Sequence, residues 1–272
     1  MTRLCLPLSD AFRRREAELL PLAGALEVKD ASAPIPEGAG GRPILYDTGI
    51  PLSDPDAPER LDRAGAWAFI EGHGVAQVIM DLGPAPAAYR TESNRNGFPR
   101  YIPTAPPRPA GELIETCRRN AARLRARIPA RLAVENLNYF PTGAYEVVCE
   151  PDFIRDVLET CDLDLALDLP HAIISAGNLH LPVPAYLEQL PLPRVTTIHV
   201  SRAAVINGIL EDAHGCPEAE DDALVASLVH RCVPQFVTLE VYRDEGQLVA
   251  TVQRLAALLA EAPTGTPGGR RP

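Results

Sequence analysis

At 272 residues with 46% hydrophobic content, the chain is long enough to bury one large core. A formal net charge of −10 and an isoelectric point near 5.1 oppose binding to a phosphate backbone and argue against a nucleic-acid partner. No run approaches the roughly 18 consecutive apolar residues of a membrane span.

The opening residues MTRLCLPLSDAFRRRE carry no long apolar stretch of the secretory kind. Cys5, Cys117, Cys149, Cys161, Cys216 and Cys232 are scattered without C-x-x-C spacing, which fits reduced thiols in a cytoplasmic protein. The chain has 25 arginines and one lysine, Lys29, a skew that reads as compositional bias.

In chain order, β-branched runs predict strands near 3–7, 25–29, 43–47, 76–81, 131–135, 164–168, 195–200 and 236–241. Helical patterns lie between them. Residues 110–127 place Leu113, Cys117, Ala121 and Leu124 on one stripe, 151–160 opens with Pro151, and 219–232 and 245–261 complete the last two units. Right-handed β-α-β crossovers bring all strand C-termini to one face, predicting an α/β fold, a (β/α)8 TIM barrel in one domain over 1–262. The segment 82–109 is expected to lie over the mouth as a lid or substrate wall, and 201–218 to form a loop after the seventh strand. The Gly/Pro-rich end 263–272 is expected to be a disordered tail.

Four apolar runs end in residues that bind metals or move protons: LAVEN in Glu135, LALDLPH in Asp168 and His171, VTTIH in His199 and FVTLE in Glu240. The quartet Glu135, Asp168, His199 and Glu240 is spaced by 33, 31 and 41 residues, one strand-plus-helix unit each. Charged groups on such strands need compensation, and one bound cation compensates several together. Mixed imidazole and carboxylate donors suit Fe(II), Mn(II) or Zn(II). His171 follows Asp168 by three residues, and EDAHG adds Asp212 and His214. Seven such residues exceed the needs of one ion, so two or more ions sharing Glu135 or Glu240 are expected. Asn136 and Asn138 in ENLNYF, with Asn178, are candidates for orienting ligands or substrate. His73 reads as a helix-end residue, His230 as a helix surface residue and His180 as a loop residue.

With AVENLNYF, EPDF from Glu150 to Phe153, LDLPHAIISAGN, IHVS, DAHG and TLEVY in that order, the chain resembles the multinuclear non-heme iron-dependent oxidases, best over about residues 130–243. The resemblance implies a barrel carrying two or three iron ions that activate dioxygen. It further implies a cysteine-containing peptide substrate and a partner protein that presents it. The implied ligands are Glu135, Asp168, His171, His199, Asp212, His214 and Glu240. Family members usually carry histidines near the ends of the third and fourth strands. Here PILYDTG offers Tyr46, as a neighbour of substrate or ligands, and Asp47, while VIMDLG offers Asp81; both aspartates are additional candidate ligands.

Glu135 and Glu240 are the candidate catalytic carboxylates. They are shared ligands in the oxidase reading, and opposed acid and base if the barrel is instead a xylose-isomerase-like sugar isomerase or epimerase using Mn or Zn. Metal-dependent endonucleases also use D-x-H after the seventh strand, against which the acidic balance counts. A non-catalytic metal-binding or peptide-binding scaffold is the remaining alternative.

Overall fold

In the computed structural model, which describes residues 1–242 and 245–261, eight parallel strands close into a barrel. They are β1 (Arg3–Pro7), β2 (Ala25–Val28), β3 (Ile44–Pro51), β4 (Gln77–Asp81), β5 (Arg131–Glu135), β6 (Asp164–Asp168), β7 (Val195–Val200) and β8 (Phe236–Leu239). Sequential neighbours pair in parallel all the way round, and β8 closes on β1. Consecutive strands are joined by connections that carry α-helices outside the barrel, except β2–β3, whose connection has only the 3-10 turn Glu37–Ala39. The expected tail 263–272 lies outside the described residues.

The strands are apolar on both faces because both are covered. Cys5, Ala25, Leu45, Ile79, Ala133, Ala166 and Phe236 pack against one another inside the barrel. The alternate residues, such as Leu26, Tyr46, Val78, Val134 and Ile198, join the larger core under the helices. The helix Ala110–Arg125 buries the whole expected stripe of Leu113, Cys117, Ala121 and Leu124. Its buried Asn120 donates to the carbonyls of Leu52 (2.9 Å) and Asp54 (2.7 Å), tying the helix to the chain beyond β3. Pro151 opens the helix Pro151–Cys161 as its sequence position demands. No described helix is long and apolar enough to cross a membrane, and all six cysteines are buried.

The two expected loops are in fact built around antiparallel hairpins. Within 82–109, Tyr89–Ser93 pairs with Pro99–Pro103. Within 201–218, Arg202–Ile206 pairs with Ile209–Gly215 through Asn207 and Gly208, both at positive φ (50° and 78°). That is the backbone demanded by a two-residue type I′ turn, for which Asn-Gly is the favoured pair. Glu211 clasps the hairpins together. It accepts from Asn94 Nδ2 (2.6 Å) and Asn96 Nδ2 (3.0 Å) and pairs with the Arg100 guanidinium. Arg100 in turn lies 3.4 Å from the centroid of the Phe140 ring, so the clasp is packed as well as bonded.

Candidate metal centre

Two residues beyond the inward-facing Ala25, Leu45, Ile79, Ala133 and Ala166, strand alternation points Glu27, Asp47, Asp81, Glu135 and Asp168 into the mouth of the barrel. His199 and Glu240 follow the buried Thr197 and Thr238 in the same way. Six of the carboxylates gathered there are nearly or fully buried: Glu27 at 0%, Asp47 at 4%, Glu135 at 6%, Asp168 at 1%, Asp212 at 6% and Glu240 at 2% exposure. A cluster this acidic is stable only with cations among its members.

His199 is the hub. Its Nε2 donates to Glu27 Oε2 (3.1 Å), an oxygen that also accepts from Thr238 Oγ1 (3.1 Å). Its Nδ1 is thereby turned toward Glu135 Oε2 (2.9 Å) and Glu240 Oε1 (3.6 Å). Burial disfavours the imidazolium, but Glu27, Glu240 and Glu135 outweigh it and hold the His199 pKa well above the ordinary value. Burial likewise works against the Glu135 carboxylate, and His199 with His171 reverses the balance and holds its pKa well below the ordinary value.

The D-x-x-H spacing has a local cause. Asp168 caps the helix Leu169–Asn178, its Oδ1 accepting from the His171 amide (2.6 Å), which places the His171 ring one turn into the helix beside the mouth. Asn136 exchanges two hydrogen bonds with the Asp168 backbone (2.9 and 3.0 Å), and its own carbonyl accepts from His171 Nδ1 (2.8 Å). A carbonyl only accepts, so Nδ1 carries the proton and Nε2, 3.5 Å from Asp212 Oδ2, is the nitrogen left for a metal. The contacts of Nδ1 with Glu135 (3.3 Å) and Asp168 (3.6 Å) are accordingly those of a donor.

The second hairpin supplies the rest. Ser201 Oγ donates to Asp212 Oδ1 (2.8 Å), leaving Oδ2 between His171 and His214 Nδ1 (3.3 Å). His214 Nδ1 also faces Glu240 Oε2 at 3.9 Å. Burial opposes the Asp212 carboxylate, yet its bonds to His171 and its proximity to His214 bring its pKa down to about 2. All seven residues of the sequence-derived ligand set therefore converge.

Of the two added aspartates, Asp47 lies 2.7 Å from Lys29 Nζ, and Asp81 approaches the Tyr101 hydroxyl, which donates at 3.4 Å. Burial, then Glu135 and Asp47, raise the Asp81 pKa to about 7. Asn138 lines the cavity in front of the cluster. Two expectations need correction. Tyr46 points outward and packs against Phe69 (centroids 5.2 Å apart), because the alternation that turns Asp47 inward turns its neighbour out. Asn178 donates to the Tyr139 carbonyl (2.7 Å) and shapes the chain after β5 instead of reaching a ligand.

Two members of the cluster are missing from the sequence-derived set. One is Glu27. The other is Lys29, whose place in the sequence reads only as part of a compositional skew, and whose ammonium lies 2.7 Å from both Asp47 Oδ2 and Glu240 Oε1. Glu27 has a usable signal: it is an acid two residues after a buried alanine inside the apolar run ALEV.

The donors fit metal ions. Glu135 Oε2, His199 Nδ1 and His214 Nδ1 are buried atoms without a hydrogen-bond partner among the described residues. Glu27, His199 and Glu240, Asp47, Glu135 and His199, and Glu135, Asp168 and His171 each bring donor atoms within 4.8 Å of one another. In front of them opens a cavity of about 250 Å³ whose walls include Phe98, Tyr101, Leu137 and Tyr145.

The sequence profile of the family "RiPP precursor modification enzyme MbnB/TglH/ChrH" matches residues 105–262, a stretch that includes the strand ends of β5 to β8 and the Asp212–His214 hairpin. The chain belongs to this family. A UPF0276 protein of Caulobacter vibrioides (strain NA1000 / CB15N) is 29% identical over 253 residues, covering 90% of this chain and 84% of that protein. One from Pseudomonas aeruginosa (strain UCBPP-PA14) is 32% identical over 107 residues, covering 38% of this chain and 37% of its own length.

Among solved structures, a xylose isomerase domain containing protein from Salmonella typhimurium LT2 superposes with a TM-score of 0.62 at 14% identity, covering 96% of this chain and 98% of its own. Endonuclease IV from Thermus thermophilus gives 0.62 at 19% identity, covering 96% and 100%. At such identities the likeness is one of fold, a xylose-isomerase-like TIM barrel. Family, fold and donor set together describe a metal-dependent TIM-barrel enzyme.

Proposed function

We propose that this family member is a non-heme iron oxidase that holds more than one iron ion at the barrel mouth and uses dioxygen to oxidise a thiol, in a cysteine-containing peptide or a small molecule. The observation that carries the reading is the pair of imidazole nitrogens, His199 Nδ1 and His171 Nε2. Each is aimed at carboxylate oxygens by a hydrogen bond on the other side of its ring. Iron bound there would supply redox chemistry and open positions for a thiolate and dioxygen.

The chain's own part is positional. Glu27 and the Asn136 carbonyl fix the two ring tautomers, and Glu135 and Glu240 lie between the histidines as oxygens that neighbouring ions can share. The clasped hairpins set Arg100, Phe98 and Tyr101 along the approach, a wall that limits water and takes an extended substrate segment. A peptide substrate implies a partner protein that presents it.

Anaerobic reconstitution with Fe(II), metal analysis and oxygen uptake with cysteine-containing peptides test the reading. Expected are more than one iron per chain and thiol-dependent oxygen consumption. A single Zn(II) or Mn(II) with no oxygen uptake, or deuterium exchange at C2 or C3 of a ketose, would overturn it in favour of an isomerase or epimerase.

A further inference from the structure

The cluster has three corners, and they differ in chemistry. One is bounded by Glu135 Oε2, His199 Nδ1 and Glu240 Oε1, with edges of 2.9 and 3.6 Å about the imidazole nitrogen. A second is bounded by His171 Nε2, Asp212 Oδ2 and His214 Nδ1, with edges of 3.5 and 3.3 Å about the carboxylate oxygen. Ions bound at about 2.0–2.2 Å in tetrahedral or octahedral geometry need donor–donor edges of roughly 2.8–3.6 Å, and the edges about His199 Nδ1 and Asp212 Oδ2 fall in that range. The third corner lies between Asp47 on β3 and Glu240 beyond β8. It contains Lys29 Nζ, 2.7 Å from an oxygen of each.

We propose that the Lys29 ammonium is a built-in cation filling this third corner, so that the centre takes metal only in its other two corners. This deepens the metal-centre reading and rests on it. The placement follows from the chain: Ala25, Glu27 and Lys29 are alternate residues, so the step that aims Glu27 at His199 aims Lys29 at the same mouth one residue pair higher. A metal ion between Asp47 Oδ2 and Glu240 Oε1 would need the place the ammonium takes, 2.7 Å from each, whereas an ion at His199 Nδ1 shares only Glu240 Oε1 with it. The ammonium also brings to these buried carboxylates the charge that an ion would otherwise supply. Lys29 is 43% exposed along its side chain, so shortening it opens the corner to solvent ions without emptying the core.

The test counts metal, independently of turnover. Full-length wild type, Lys29→Ala, Lys29→Arg, Asp47→Asn and the Lys29→Ala/Asp47→Asn double variant are loaded anaerobically with Fe(II), desalted and analysed for iron per chain. Expected are at most two ions in wild type, about one more in Lys29→Ala, the wild-type number in Lys29→Arg and Asp47→Asn, and loss of the gained ion in the double variant. Three ions in wild type, or equal loading of wild type and Lys29→Ala, overturns the proposal while leaving the metal-centre reading intact. No metal in any of the proteins overturns both.

Discussion

Glu27 holds one face of His199 through a hydrogen bond, and so decides which nitrogen the ring offers to a metal. Replacing it with alanine frees the ring and should weaken metal binding by roughly 10–100-fold without lowering the number of ions at saturation, as read by chelator competition; Glu27→Gln, which keeps an acceptor, should lose much less. His171 and His199 both have raised pKa values in the metal-free chain, burial being outweighed by their carboxylate neighbours. Each therefore holds its proton to higher pH than a free imidazole, and metal must displace those protons. Apparent affinity should climb with pH by about tenfold per unit for each proton released, with acidification measurable in weakly buffered solution.

Asp81 behaves in the opposite sense to a paired acid. Burial, then Glu135 and Asp47, raise its pKa to about 7, so the folded chain keeps a proton that the unfolded chain gives up near 3.9. Stability is lost as pH rises between those values and stays low above them. Asp81→Asn should raise the melting temperature of metal-free protein at pH 8 and change little near pH 4. Why Glu27 and Lys29 escape sequence reading is also a matter of single residues. Strand-end ligands stand out at the close of apolar runs, which suits LAVEN and FVTLE, whereas Glu27 is followed by Val28 and only the two-residue alternation from Ala25 exposes it. The same alternation chooses Asp47 over Tyr46.

Among the elements, the helices Ala110–Arg125, Pro151–Cys161 and Ala219–Cys232 and the barrel strands are legible within a residue or two, except β3, which runs four residues past its expected end to Pro51. The hairpins are not. Asn207-Gly208 between AVI and ILE is a strong hairpin signal, but the neighbouring EDAHG draws attention to its ligand types alone; the first hairpin is masked by prolines at 99 and 103. Their shared support is Glu211, fully buried and paired with an Arg100 that is itself almost buried. Glu211→Ala removes the carboxylate from that guanidinium and one acceptor from each of two amides. Hydrogen exchange should accelerate at 89–103 and 202–215 together while the barrel strands keep their protection, and a response confined to one hairpin would show that the clasp does not couple them.

At the scale of the molecule, the fold is legible because ligand-type residues return at strand-plus-helix spacing, a periodicity no open two-layer fold requires. The number of cations is not, since it depends on which acids share a corner and which meet an amine. Six buried carboxylates facing one lysine make the metal-free barrel electrostatically costly. Metal at a thousand times its dissociation constant should add about 4 kcal/mol per site, on the order of 10 °C in melting temperature, reversed by chelator; calorimetry showing no shift with iron, manganese or zinc would contradict a built centre. The lone lysine has a practical corollary. In a chain whose other basic side chains are guanidinium or imidazole, side-chain amine chemistry has a single address, so an isotopic methyl placed on Lys29 would give one resonance that reports from inside the barrel mouth on every ion that arrives beside it.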